Sequence, residues 1–126
     1  MSVRVLLVDD EEIIRDVLRE ILEEIGLVVE EAGDGLEALD ILENAPTRFQ
    51  LVISDMKMPK MSGPKFLEQI RENPKLKHIK FIFITGGINY DFENEQDPIM
   101  KSVDAVFNKP FEEDKIEESI RQLFKL

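Results

Sequence analysis

The chain has 126 residues, 43% of them apolar, and a formal charge of −11. This is the length of one ordinary domain, with enough apolar residues for a core. The absence of cysteine excludes disulfides, thiolate metal sites and cysteine nucleophiles. The acidic balance argues against nucleic acid as a direct partner and suits cations or basic protein surfaces. The first apolar stretch, Val3 to Val8, runs straight into acids, without the features of a signal peptide. No stretch approaches the roughly 18 consecutive apolar residues of a spanning helix, so no membrane insertion is expected.

Val3 to Val8 reads as a buried strand ending in Asp9-Asp10. Ile13, Ile14, Val17, Leu18, Ile21, Leu22 and Ile25 then recur at helical spacing, and Gly26 stands where a C-terminal glycine ends a helix. Leu27-Val28-Val29 predicts a second strand. The turn Gly33-Asp34-Gly35 leads into a helix through Leu36, Leu39, Ile41 and Leu42, with Asp34 and Glu37 spaced as a capping box and Pro46 beyond its end. Leu51 to Ser54 is a third strand, running into Asp55. A loop, Lys57 to Gly63, precedes a helix from Pro64 to Glu72, ended by Asn73-Pro74. Lys80 to Thr85 is the fourth strand, Ala105 to Asn108 the fifth, and a short helix around Pro98 to Val103 precedes the latter. The last helix runs from Glu112 to the end, with Ile116, Ile120, Leu123 and Phe124 on one face. Alternating buried strands and helices imply an α/β fold: a parallel sheet with helices on both faces.

The chemistry collects at the strand ends. Asp9-Asp10, Asp55, Thr85 and Lys109 all fall at or just beyond the carboxyl ends of strands. In an open parallel sheet these ends share one edge, where ligands bind. Carboxylates gathered there repel, so one must take a proton or a cation must enter. Oxygen-only ligands favour a hard cation, Mg²⁺ or Mn²⁺ over a full Ca²⁺ cage. A carboxylate is also a competent nucleophile towards phosphorus. Lys109 and a metal would neutralise a transferred phosphoryl group, and the Thr85 hydroxyl could donate to it.

These residues resemble the receiver domain of two-component response regulators. Asp9-Asp10 resembles the family's metal-binding pair. Asp55, with Met56 to Pro59 and Gly63 after it, resembles the phosphoacceptor motif. Thr85 stands at the family's Ser/Thr position, and Lys109-Pro110-Phe111 resembles its lysine-proline motif. The resemblance spans essentially the whole chain and implies a doubly wound, five-stranded, flavodoxin-like sheet of order 2-1-3-4-5. It implies a single receiver domain over residues 1–126, in the cytoplasm, monomeric or weakly dimeric on phosphorylation; because the last helix runs to Leu126, no output domain is expected to follow. It further implies transfer from a histidine kinase or histidine phosphotransfer protein to Asp55, which the domain itself catalyses and later reverses. Asp10, Asp55 and the main-chain carbonyl of Lys57 would ligate Mg²⁺, with Asp9 acting partly through water, and the Lys109-Pro110 bond would be cis.

The chain departs from the family where Val106 stands in place of the usual Tyr, Phe or His, three residues before the lysine. Phe107 is expected on the opposite side of the strand. Gly86-Gly87 follows Thr85, and the acidic segment from Asn89 to Pro98 is long for the fourth helix region. Gly33 to Ala38 fits a glycine-rich dinucleotide pattern but follows the second strand, so a capped turn is expected there. His78, the only histidine, reads as a surface residue, and Met56, Met58 and Met61 as loop packing. Two other functions compete. One is a degenerate receiver acting as a scaffold. The other is a phosphatase or phosphotransferase turning over through an aspartyl phosphate, which the absence of a second acid at Lys57 argues against.

Overall fold

The structure is a computed structural model and describes residues 3–45, 48–86 and 96–126. Strands β1 (Arg4–Val8), β2 (Val28–Ala32), β3 (Leu51–Asp55), β4 (Lys80–Thr85) and β5 (Ala105–Asn108) alternate with helices α1 (Glu12–Ile25), α2 (Gly35–Asn44), α3 (Gly63–Glu72), α4 (Pro98–Lys101) and α5 (Glu113–Phe124). Every pairing is parallel, and the strand order is β2-β1-β3-β4-β5. This is the doubly wound order that the sequence resemblance implied. Pro46, Gly87 and residues 89–95, on which some sequence expectations fell, lie outside the described residues.

Strand alternation divides the core into two layers. Val5, Leu7, Leu51, Ile53, Ile82 and Ile84 pack with Leu18 and Leu22 of α1 and Ile116 and Ile120 of α5. Leu6, Val8, Val52, Phe81 and Phe83 face the other way, onto Ala38 and Leu42 of α2, Phe66 and Ile70 of α3 and Met100 of α4. Both faces of the inner strands are therefore apolar, which is why they read as continuous hydrophobic runs.

Local chemistry sets the helix ends. Gly26 adopts φ 101°, and its N–H bonds back to the end of α1, a left-handed cap that glycine takes without strain. Asp34 accepts from the Glu37 N–H at 2.9 Å, and Ser62 caps α3 by accepting from the Lys65 N–H. The capped turn at Gly33 to Gly35 accounts for the glycine pattern there.

Two apolar positions depart from the expected buried faces. Ile13 is 76% exposed and Leu36 50% exposed. Both lie in the first turns of their helices, and Ile14 beside Ile13 is the one that packs against the core. β2 also runs further than its apolar residues suggest, through Glu30 and Glu31 to Ala32. It is an edge strand paired only with β1, and each acid finds a cation: Arg4 pairs with Glu30, and Arg15 and Arg19 with Glu31.

Arg71 of α3 ties several elements together. Its Nε donates to Ser102 Oγ at 3.1 Å, Nη2 to the Ser102 carbonyl at 2.9 Å, and Nη1 to the Lys77 and Ile79 carbonyls at 3.0 and 2.7 Å. Burial pushes its pKa down, partly offset by Asp104. Arg71→Met should cost about 2 kcal/mol, because it leaves several acceptors unpaired at once. Urea denaturation with an unchanged m-value is the check, and a loss below about 0.5 kcal/mol would refute it.

Candidate functional site

β1 and β3 are neighbours, with Val8 opposite Ser54. Asp9, just past β1, and Asp55, the last residue of β3, therefore lie side by side at the carboxyl edge of the sheet. The chain leaves β1 for β2 on one side, while β3 pairs on the other, so the connections diverge and open a crevice at this point. Asp9 is 3% exposed and Asp55 7%. Thr85, also 7% exposed, ends the next strand, β4.

Lys109 reaches the same crevice from the end of β5. Its peptide N–H donates to the Thr85 carbonyl at 2.7 Å, and the Lys109–Pro110 bond is cis. Its Nζ lies 3.2 Å from Asp9 Oδ2, 3.2 Å from Glu11 Oε1 and 3.7 Å from Asp55 Oδ2. Asp55 Oδ1 accepts from the Met56 N–H at 2.8 Å, and Asp9 Oδ1 from the Glu11 N–H at 2.8 Å. A cavity of ≈ 400 Å³ opens above, lined by Asp10, Glu11, Asp55, Lys57, Gly86 and Lys109. A wider depression along α5 gathers no comparable group of buried acids.

Burial raises the pKa of Asp9, against the opposing pull of the Glu11 N–H and Lys109. Burial also raises that of Asp55, and the charge of Asp9 adds to it. For Lys109 burial acts against the charge, but Asp9 and Asp55 outweigh it and the pKa rises. The crevice thus holds more negative charge than one ammonium balances. Among the described residues, Asp9, Glu11 and Asp55 each offer a carboxylate oxygen within 4.8 Å of the others. Such an oxygen-only set can take a hard divalent cation.

The expected acid pair is split by the fold. Asp9 is buried in the crevice, whereas Asp10 is exposed in the cavity wall and lies outside the closest trio. Glu11 takes that place, a residue that the sequence analysis passed over. The available signal was the short connection between β1 and α1, which keeps the residue after Asp9-Asp10 at the mouth. Lys57 is exposed at the cavity rim. Val106 packs towards the α2–α3–α4 side and Phe107 towards α1 and α5, as strand alternation requires. His78 is exposed in the turn before β4, remote from the site, and Met56, Met58 and Met61 pack against the core.

A buried aspartate beside a lysine and further acids, at the switch point of a 2-1-3-4-5 sheet, defines a phosphoacceptor class of signalling domain. Residues 5–121 match the response regulator receiver domain family, and the chain belongs to it, as a phosphoacceptor module of two-component signalling. It is 35% identical to a probable chemotaxis protein CheY of Rhizobium etli, over 98% of this chain and 93% of that protein. It is 33% identical to part of the sensor histidine kinase CheAY of Helicobacter pylori, over 67% of this chain and 10% of that protein. The solved chemotaxis response regulator CheY4 of Vibrio cholerae superposes with a TM-score of 0.83 at 28% identity, covering 98% of this chain and 99% of that one.

Proposed function

We propose that Asp55 is the phosphoacceptor and that the phosphoryl group comes from a phosphohistidine on a histidine kinase or phosphotransfer protein. The observation that carries this reading is the geometry around one buried carboxylate. Met56 holds Asp55 Oδ1, which leaves Oδ2, facing Lys109, to attack phosphorus. The new O–P bond forms as the P–N bond breaks, and the donor imidazole leaves with the electron pair. Lys109 neutralises charge on the transferred group, and the Thr85 hydroxyl donates a hydrogen bond to it. Asp9, Asp10, Asp55 and the Lys57 carbonyl would hold Mg²⁺, with Glu11 close enough to contribute. The bound ion supplies further neutralisation of the phosphoryl oxygens. Attack of water on phosphorus later breaks the Asp55 O–P bond, releasing inorganic phosphate and restoring the carboxylate.

The likeness to part of a histidine kinase supports such a donor. No helix among the described residues is long and apolar enough to cross a membrane, and a cytoplasmic single receiver domain fits this role.

Incubation with acetyl phosphate and Mg²⁺ should add one labile phosphoryl group by intact mass, absent from Asp55→Asn. No adduct on the wild type, from acetyl phosphate or from a histidine kinase, would refute the reading. The same variant tests the electrostatics. The folded state holds the Asp55 proton more tightly than the unfolded chain does, so ionisation on raising the pH removes stability. Without Mg²⁺, Asp55→Asn should match the wild type near pH 3. It should become more stable than the wild type as pH rises beyond the ordinary aspartate value of about 3.9. Denaturant titrations across pH provide the measurement, and an Asn variant less stable than wild type at pH 7 would count against it.

A further inference from the structure

The loop from Asp9 to Glu11 carries three acids on a short connection between β1 and α1. Their repulsion works against any one fixed loop geometry. The Asp9 peptide is nonetheless held on both sides. Its N–H donates to the Ala32 carbonyl at 3.2 Å, and its carbonyl accepts from Arg15 Nη1 at 2.6 Å. Arg15 is not free to wander, because its Nε donates to Glu31 Oε1 at 2.9 Å. Glu31 is held in turn by Arg19 Nε at 2.7 Å. Burial alone would raise the Glu31 pKa, but Arg19 and Arg15 bring it below the ordinary value, so the acid stays ionised and keeps its grip.

We propose that Arg15, locked by Glu31, is a positioning residue that presets the Asp9 to Glu11 loop for a divalent cation. The inference rests on the metal reading above and deepens it. The guanidinium touches no carboxylate of the crevice in the structure. It fixes the peptide plane between Asp9 and Asp10, and with it the course of the loop towards Glu11. The task needs two donors in a rigid fork, Nε on Glu31 and Nη1 on the Asp9 carbonyl, and lysine has no such pair. Groups that orient metal-binding residues from behind typically change affinity about 10- to 100-fold when removed.

Arg15→Met separates positioning from plain charge. A long-range charge effect predicts that Arg15→Met binds Mg²⁺ more tightly, since it removes a nearby positive charge. Positioning predicts the reverse, because the Asp9 carbonyl loses its donor. The experiment is Mg²⁺ titration by calorimetry on the wild type, Arg15→Met, Arg15→Lys and Glu31→Gln, with a thermal melt of each in EDTA to establish folding. Arg15→Met should weaken Mg²⁺ about 10-fold, Arg15→Lys should recover only part of this, and Glu31→Gln should weaken it several-fold. If Arg15→Met does not fold, Arg15→Lys carries the test, because it keeps the charge and loses the fork. Unchanged or tighter binding by a folded Arg15→Met variant, or wild-type affinity in a folded Arg15→Lys, would overturn the inference while leaving the metal site standing. A wild type that binds no Mg²⁺ would overturn both.

Discussion

Replacing Lys109 with Met should slow phosphoryl transfer to Asp55 about 100-fold or more and destabilise the protein at pH 7. Lys109 is the only cation within ion-pair distance of Asp9 and Asp55 among the described residues, so the transition state would lose its direct protein counter-charge. Removing one donor to a developing oxyanion commonly costs about 100- to 1,000-fold in rate. The ground state also suffers, because two buried carboxylates lose their partner. Breaking a fully buried pair costs about 3–5 kcal/mol. The Glu11 side of this group is open to water, so about 2 kcal/mol is expected here. Mg²⁺ should restore part of that stability, since a second cation relieves the same repulsion. The time course of adduct formation by intact mass, and urea melts with and without Mg²⁺, provide the readouts. A variant phosphorylated at the wild-type rate would show that Lys109 does not act on the phosphoryl group.

Gly63→Ala is the second large effect, and its cause is steric. A Cβ at this position would lie 2.5 Å from the Asp55 carbonyl oxygen, 2.7 Å from Phe83 Cε1 and 2.8 Å from Met56 Cα. Two of these are backbone atoms, and Phe83 is fully buried against Phe81, with ring centroids 4.8 Å apart. None can yield cheaply. The Gly63 N–H also donates to the Met56 carbonyl at 2.8 Å, so any retreat of α3 breaks a bond that shapes the loop after Asp55. The expected loss is about 3 kcal/mol, at the upper end for overpacking. Metal affinity should fall with it, because the displaced backbone carries Asp55. Denaturant melts and Mg²⁺ titration of the folded variant test both parts. A loss under about 1 kcal/mol would mean that α3 can slide away from β3 more easily than this packing implies.

The order of the elements was legible in the chain because its inner strands are buried on both faces. Val5 to Val8, Leu51 to Ile53 and Phe81 to Ile84 read as unbroken apolar runs and became β1, β3 and β4. Edges were harder to read. β2 continues through Glu30 and Glu31 because cations from β1 and α1 meet those acids, and no local pattern announces partners that arrive from elsewhere in the chain. Ile13 and Leu36 fall on the helical period, yet both stay exposed.

The sequence by itself determined which residues could do the chemistry. Acids, a hydroxyl and a lysine follow apolar strands, and strand direction alone sends them to one edge. Only the tertiary structure decided which of them meet. The register of Val8 with Ser54 sets Asp9 beside Asp55, and the short connection to α1 leaves Asp10 exposed in the cavity wall and brings Glu11 to Lys109. It also revealed Arg15, which reaches back from α1 to the carbonyl of Asp9. These outcomes depend on distances between segments far apart in the chain. Charges that repel, and must be held together, are placed by packing and hydrogen bonds that no single stretch of sequence contains.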